Sequence, residues 1–373
     1  MFKNSVRLVA VAVFAVVGLV ASGAGAATPD AATTKAKPPA IKHVFVINLE
    51  NKGYDVTFGA ASPAPYLSQT LTGQGVLLEQ YYGIGHASLD NYIAEISGQG
   101  PSKQTQLDCF TYNDFVSTGT GDLGQALGDG CVYPTAVKTI ADQLTAKKLT
   151  WKGYMEDMAT PCQHPELGAA DPDVAATAAG TYATRHNPFV YYHSIIDSPI
   201  CKTNVVALDA LETDLKSVKT TPNFSMIKPG LCNDGHDKKC FDGSPGGLEA
   251  ANTWLQQWVP KILASPAFKK DGLLIVTFDE AEVGADATAC CNPPTYPNVT
   301  TGSPTGGPGG GRVGAVLVSR FIKPGSTSAT PYNHYAMLCS LEDIFGVKYL
   351  GYAAESGLQC FGSDVYNAAK SKK

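Results

Sequence analysis

"DGLLIVTFDE", residues 271–280, is the stretch on which the reading of the fold turns. From Leu273 to Phe278 the side chains are apolar or β-branched with no alternation, so the strand expected here is buried on both faces. Such strands suit a largely parallel sheet covered by helices on both sides. The run then ends abruptly in two adjacent carboxylates, Asp279 and Glu280. Five other runs read as strands: 41–50 "IKHVFVINLE", 76–85 "VLLEQYYGIG", 149–157 "LTWKGYMED", 223–230 "NFSMIKPG" and 312–322 "RVGAVLVSRFI". Helical patterns fall between them at 63–73, 88–98, 136–147, 205–218, 247–268 and 334–346. Alternation of this kind along the chain predicts an α/β fold, layered α/β/α around a largely parallel central sheet. No internal repeat is present.

Polar residues gather where these strands end. Glu50 and Asn51 close the first, His86 and Ser88 follow the second, and Asp157 ends the third. Asp234 and His236 follow the fourth, Asp279 and Glu280 end the fifth, and His334 opens the helix after the sixth. Open α/β sheets bind ligands at the carboxyl edge of their strands, so distant segments are expected to converge on one site.

The ends of the chain set its context. Lys3 and Arg7, the apolar run Leu8–Val20 and the small residues Ala24-Gly25-Ala26 make the three-part pattern of a secretory signal over 1–26. That run is shorter than the roughly 20 residues of a membrane span. Residues 27–40, "ATPDAATTKAKPPA", read as a flexible linker, and 41–373 as one domain. The expectation is an exported protein with no transmembrane anchor in its mature form. Formal net charge is −5, and loss of Lys3 and Arg7 makes it −7, which argues against a nucleic-acid partner. Ten cysteines in an exported chain predict a disulfide framework. Cys232–Cys240 and Cys339–Cys360 are the favoured local pairs. Cys109, Cys131, Cys162 and Cys201 admit several pairings, and adjacent Cys290 and Cys291 are each expected to bond elsewhere. A zinc-thiolate site is the alternative, but no C-x-x-C spacing supports it.

Carboxylates, an amide, imidazoles and one hydroxyl suit a divalent metal ion: Mg or Ca from the oxygen donors, Mn, Zn or Fe with the imidazoles. A hydroxyl at a helix N-terminus is placed to act as a nucleophile, with the helix dipole and free N–H groups facing an anionic ester. Blander readings stand beside these. Serine is a favoured helix cap, so Ser88 reads equally as a capping residue. Asp279-Glu280 reads also as a solvated strand end, "DGHDKKC" (234–240) as a polar turn closed by a disulfide, and His43 as structural. The Gly/Pro-rich stretch 292–311 is either a rim that selects substrate or a passive loop.

The segments "VFVINLENKGYDVTFG", "GHASLDNYIAEISGQ", "RHNPFVYY", "NDGHD", "IVTFDE" and "GGRVGAVLVSRFIKPG…YNHYAMLCSLEDIFGV" together resemble the bacterial and fungal phosphoesterases. That family contains secreted acid phosphatases and non-specific phospholipases C, within the alkaline phosphatase-like superfamily. The resemblance implies metal or phosphate positions at Glu50, Asn51, Asp279 and Glu280. It implies further site positions at Asp234, His236 and His334, with His186 facing the site. "HASLDNY" resembles a His-Pro-Ser-x-Pro-Asn-Tyr segment, with Ala87 and Asp90 in place of two prolines. Many relatives carry Thr before that histidine, where this chain has Gly85. Elsewhere in the superfamily a nucleophilic Thr precedes Asn by three positions, which maps onto Ser88 and Asn91. The implied activity is phosphomonoester hydrolysis by Ser88, with His86 as orienting group or acid. Its substrate would be a phosphorylated small molecule or a phospholipid head group, phosphoinositide phosphates included. A phospholipase C-type diesterase is the alternative enzyme, and an inactive secreted binding protein the alternative of another class. "RHNP" (185–188) departs from the Arg-His-Gly signature of histidine acid phosphatases, and the C-x-P-x-R segment of sulfatases is absent.

Overall fold

A computed structural model describes Met1 and residues 37–368. Except for Met1, the signal pattern (1–26) and residues 27–36 of the linker lie outside the described residues. From residue 37 onward the chain belongs to one compact unit.

Eight strands form the main sheet: β1 (His43–Leu49), β2 (Val76–Leu78), β3 (Trp151–Met155), β4 (Val205–Ala207), β5 (Phe224–Lys228), β6 (Gly272–Phe278), β7 (Ala315–Ser319) and β8 (Ser326–Ser328). Their order is β8-β2-β7-β6-β1-β5-β3-β4. Every pairing is parallel except those of β7, which runs antiparallel to both β6 and β2. The centre of the sheet is where the sequence is most apolar. All seven residues of β1 and all seven of β6 are buried. Covering both faces removes Val44, Val46, Leu274 and Val276 from water, and each such side chain contributes roughly 1.5–3 kcal/mol.

The strand register explains why distant residues meet. Leu49 lies opposite Phe278, so the residues that follow, Glu50 and Asp279, emerge side by side. On the other flank Ile47 pairs with Ile227, which brings Lys228, the last residue of β5, to the same edge. The Asp279 N–H donates to the Leu49 carbonyl at 3.0 Å, and the Glu50 N–H to the Asp234 carbonyl at 2.8 Å. Parallel strands with these carboxyl ends therefore deliver Glu50, Lys228 and Asp279 from three adjacent positions.

Several expectations are corrected. The pattern at 205–218 is not one helix: Val205–Ala207 pairs with β3 as an edge strand, and only Ala210–Asp214 is helical. Two β-branched residues at its start favour the sheet edge, while Leu208, Leu211 and Leu215 carry the helical spacing. The run 76–85 breaks into Val76–Leu78 and Tyr81–Tyr82 around a turn at Glu79-Gln80. A hairpin of Val116–Thr120 with Ala126–Asp129 is an addition; the first of its strands is wholly exposed, so no burial pattern marked it.

All ten cysteines are paired: Cys109–Cys131, Cys162–Cys201, Cys232–Cys240, Cys290–Cys291 and Cys339–Cys360. The two favoured local pairs form as expected. Cys290 and Cys291 bond to each other and not to distant partners, with left-handed backbone at Cys291 (φ 66°) and Asn292 (φ 53°). Alkylation of the denatured, unreduced protein should accordingly add no label by intact mass, and alkylation after reduction should add ten. Labelling of four or more thiols before reduction would contradict this framework.

Candidate active site

The site starts from the turn after β1. Asn51 takes the left-handed conformation (φ 46°), uncommon for a residue with a side chain and found where structure over-determines it. Here the fixing contacts are visible. The Asn51 N–H donates to Asp279 Oδ1 at 2.9 Å and its side-chain amide to Glu280 Oε1 at 2.8 Å. The Asp279 carboxylate also accepts from the Glu280 N–H at 2.7 Å. Asn51, Asp279 and Glu280 thus form one buried knot.

Ser88 is not a helix cap. The helix Ser88–Ser97 is capped by Ala87 in extended conformation, with no side-chain bond from the cap. The free Leu89 N–H is taken by Asp108 Oδ1 at 3.0 Å. Ser88, the first helical residue, instead donates its hydroxyl to Glu50 Oε2 at 2.8 Å. Tyr92, one turn along the same helix face, donates its hydroxyl to Glu50 Oε1. The helix ends at Gly98 in left-handed conformation, and all ten of its residues are buried.

The loop entering this helix is held by Asn91. Its side-chain oxygen accepts from the Ile84 and Gly85 N–H groups, and its amide donates to the Gly85 and Ala87 carbonyls. Asn91 therefore uses its full hydrogen-bonding capacity on the loop and positions Ser88 without facing it. Gly85 is tightly enclosed. A Cβ there would lie 2.3 Å from the Gly302 carbonyl and 2.6 Å from an Asp90 oxygen, so this chain has no room for a threonine at this position.

The histidines divide into three kinds. His186 lies between two carboxylates, with Nε2 3.4 Å from Glu50 Oε1 and Nδ1 3.7 Å from Asp234 Oδ2, and neither nitrogen has a hydrogen-bond partner. Burial pushes its pKa well below the ordinary imidazole value. His86 has both nitrogens engaged, Nδ1 with Glu280 Oε2 at 3.0 Å and Nε2 donating to the Asp286 carbonyl at 2.7 Å. Burial lowers His86 and raises Glu280, so both shifts favour the neutral pair in which Glu280 donates to Nδ1. His334 is fully buried, with Nε2 donating to the Asp279 carbonyl at 2.6 Å and Nδ1 3.1 Å from both Tyr81 Oη and Glu95 Oε1. It supports Asp279 from behind. His236 is exposed and bonds Asp237 at 2.8 Å; only its backbone N–H meets Asp234.

Expected residues brought together are thus Glu50, Asn51, Ser88, His186, Asp234, Asp279, Glu280 and, through Glu280, His86. His236 and the imidazole nitrogens of His334 point elsewhere. Asp157 bonds Thr181 and lies outside the cluster. His43, read as structural, pairs with Asp271 in the buried strand start.

Sequence reasoning missed Lys228, Tyr92, Asp108 and Arg185. Lys228 is 2% exposed, sits over the Tyr92 ring at 3.4 Å from its centroid, and has Nζ 3.8 Å from Glu50 with no hydrogen-bond partner. A lone lysine closing an apolar strand beside strands that close on carboxylates was the available signal. Asp108 reaches the helix start from a separate loop, and Arg185 stands 3.8 Å from it; no sequence pattern links them.

Electrostatically the cluster is a buried excess of carboxylates. Burial raises Glu50, but the charges of His186 and Lys228 and the hydrogen bonds from Tyr92 and Asp279 outweigh it and hold Glu50 at about 2. With His186 itself pushed toward neutrality, Lys228 is the cation that sustains this. Burial, with Glu50 nearby, pushes Asp279 and Asp234 well above the carboxyl range. Asp279 Oδ2, Asp234 Oδ2 and Asn51 Oδ1 are buried without partners. That donor set fits a hard, oxygen-ligated cation. Among the described residues, though, no three His, Cys, Asp or Glu side chains are gathered in a ligating arrangement.

The Phosphoesterase family profile matches residues 62–348. The chain is 26% identical to the phosphate-repressible acid phosphatase of Penicillium chrysogenum, covering 90% of this chain and 71% of that one. It is 25% identical to a probable acid phosphatase of Kluyveromyces lactis, over 84% of this chain and 60% of that one. A phosphatidylinositol-3-phosphatase of Mycobacterium tuberculosis is 24% identical over 91% of this chain and 88% of its own. This chain therefore spans less of the fungal relatives than of the mycobacterial one. Among solved structures, an alkaline phosphatase superfamily protein from Vibrio parahaemolyticus superposes with a TM-score of 0.50 at 14% identity. The match covers 84% of this chain and 68% of that one, and the layered α/β fold is shared.

One group behind the site should govern stability. Glu95 is 1% exposed and raised to about 8, by burial first, against the pull of Lys228 and of its Asn48 hydrogen bond. Between about pH 4.5 and 8 the folded chain holds a proton here that the unfolded chain has released. Stability should therefore fall as pH rises through that window, by at most ~1.4 kcal/mol per pH unit from this group. Urea unfolding from pH 5 to 8 should show a flatter slope for Glu95→Gln than for the parent, and equal slopes would remove Glu95 as the cause.

Proposed function

This chain belongs to the Phosphoesterase family of phosphoric ester hydrolases, and on that premise we propose that it cleaves phosphate monoesters with Ser88 as the nucleophile. The observation that carries the reading is the 2.8 Å hydrogen bond from the Ser88 hydroxyl to Glu50 at the first turn of a buried helix. A serine hydroxyl near its ordinary pKa is a weak nucleophile, and an adjacent base activates it. Glu50, kept ionised beside Lys228, is placed to take the Ser88 proton as Oγ attacks phosphorus. The P–O bond to the alcohol then breaks, leaving a phosphoseryl enzyme. Water hydrolyses that intermediate, releasing phosphate and restoring the serine. Neutral His186, with Nε2 3.4 Å from Glu50 and both nitrogens unpartnered, is suited to relay the proton taken by Glu50 to the departing oxygen, which leaves as the alcohol. His86 acts as an orienting group, because both of its nitrogens are engaged. Arg185 stands beside Asp108, which caps the helix that begins at Ser88, and is suited to meet an incoming phosphate.

The unpartnered oxygens of Asn51, Asp279 and Asp234, together with Glu50, are the ones that would hold a divalent ion. Bound there, it would offset the buried carboxylates and draw charge from phosphate oxygens. The signal pattern of residues 1–26 and the five disulfides support export. No helix among the described residues is long and apolar enough to cross a membrane. Similarity to a protein named phosphatidylinositol-3-phosphatase supports phosphoinositide phosphates as one substrate class.

Ser88→Ala should lower turnover of p-nitrophenyl phosphate by roughly 10³ or more, as expected when a covalent step is lost. Acid quench with ³²P-labelled substrate should trap label on the Ser88 peptide of the parent protein. A folded Ser88→Ala protein within tenfold of parental turnover would overturn the nucleophile. Faster cleavage of bis-p-nitrophenyl phosphate than of the monoester would favour the diesterase, and cleavage of neither a binding protein. Asp279→Asn should lower bound divalent metal, measured by mass spectrometry of the purified protein, together with activity; unchanged metal and full activity would exclude that role.

A further inference from the structure

Lys228 is the only lysine or arginine buried among the described residues. It ends β5, which runs between β1 and β3, so its side chain starts at the sheet edge where the carboxylates converge.

Its contacts are those of a counter-ion and not of a structural salt bridge. The nearest carboxylate oxygen, Glu50 Oε1, is 3.8 Å from Nζ. That exceeds the roughly 2.7–3.2 Å of an N–H···O hydrogen bond. An ammonium has three donors, and those of Lys228 have no partner. Nζ lies instead over the Tyr92 ring, 3.4 Å from its centroid. A lysine buried only to brace the fold would satisfy those donors, since an unpaired buried polar group is costly.

The charges that act on Lys228 come from four segments. They belong to Glu50 after β1, Glu95 in the helix Ser88–Ser97, Asp279 after β6 and Asp234 in the loop after β5. Two of these acids, Asp279 and Asp234, each keep a buried oxygen with no partner. One positive charge is thus shared through space by several carboxyl groups, the position a bound metal ion takes among its ligands. The same unpartnered oxygens are the ones open to a divalent ion. Such an ion would meet the ammonium as a like charge, and the two would repel across a medium that screens poorly.

We propose that the Lys228 ammonium is a built-in rival of divalent cations at this cluster: it supplies part of the positive charge the carboxylates need and lowers their affinity for metal. The proposal rests on reading the cluster as a cation site. Lys228 then acts through the carboxylates as a positioning residue and touches no reacting atom.

Calorimetric titration of the chelator-treated full chain with Mg²⁺ and with Mn²⁺ tests this. Lys228→Met, similar in length and uncharged, should bind each ion at least roughly tenfold more tightly than the parent, because a like charge has been removed. Should Lys228→Met be unfolded without metal, Mn²⁺ should restore its near-ultraviolet circular dichroism and leave that of the parent unchanged. A merely structural lysine predicts otherwise. Equal or weaker affinity in the variant, no binding by either protein, or a variant that stays unfolded with Mn²⁺ present would overturn the proposal. Turnover is scored separately. A parent that cleaves no phosphate ester while Lys228→Met gains affinity loses the catalytic reading and keeps the rival cation; a parent that cleaves esters without that gain does the reverse.

Discussion

The arrangement depends on one buried ion pair. Glu50 directly follows the central strand β1, and Lys228 ends its neighbour β5, with 3.8 Å between their charged ends. Each is costly to bury alone, and neither is exposed enough to be relieved by water. Together they fix a charged centre at the sheet edge. Tyr92 and Ser88 then supply hydroxyls to both oxygens of Glu50, which draws the N-terminus of the helix Ser88–Ser97 onto the strand ends. Asp279, Glu280 and Asp234 crowd against this centre and are driven toward protonation, by burial first and then by the neighbouring carboxylates, Glu50 among them. The fold thus concentrates carboxylates with strongly shifted protonation at one sheet edge, the pattern by which functional sites are recognised.

Much of this was legible in the chain. Unalternating apolar runs at 41–50 and 271–280 marked the strands at the centre of the sheet, because only a strand covered on both faces tolerates that pattern. Polar residues at the strand ends marked the edge at which Glu50, Asp234, Asp279 and Glu280 converge. What failed to show was of three kinds. The edge strand Val205–Ala207 was hidden by the helical spacing of the leucines that follow it. The exposed hairpin carried no burial signal. Asp108 and Arg185 reach the site through long loops, whose paths are set by tertiary packing and by the Cys109–Cys131 bridge, not by local periodicity.

Ser88 and His334 illustrate how a role can differ from a residue type's usual part. Serine at a helix start normally satisfies backbone donors, yet here Asp108 takes that task and frees the hydroxyl to face Glu50. His334, which opens a helix after the sixth strand run, was expected as a site residue, yet it has both nitrogens tied to Asp279, Tyr81 and Glu95 and acts as a buttress. In both cases the decisive information is the partner arriving from another segment.

The enclosure of Gly85 limits what this loop can become. The Asp90 carboxylate and the Gly302 carbonyl occupy the volume that any side chain at position 85 would need. A larger residue there meets a backbone atom on one side and a charged side chain on the other, so no single substitution at 85 is accommodated by a rotamer change alone. Only a concerted replacement of the 84–91 segment with its partner at 302 would open room for a side chain at this point.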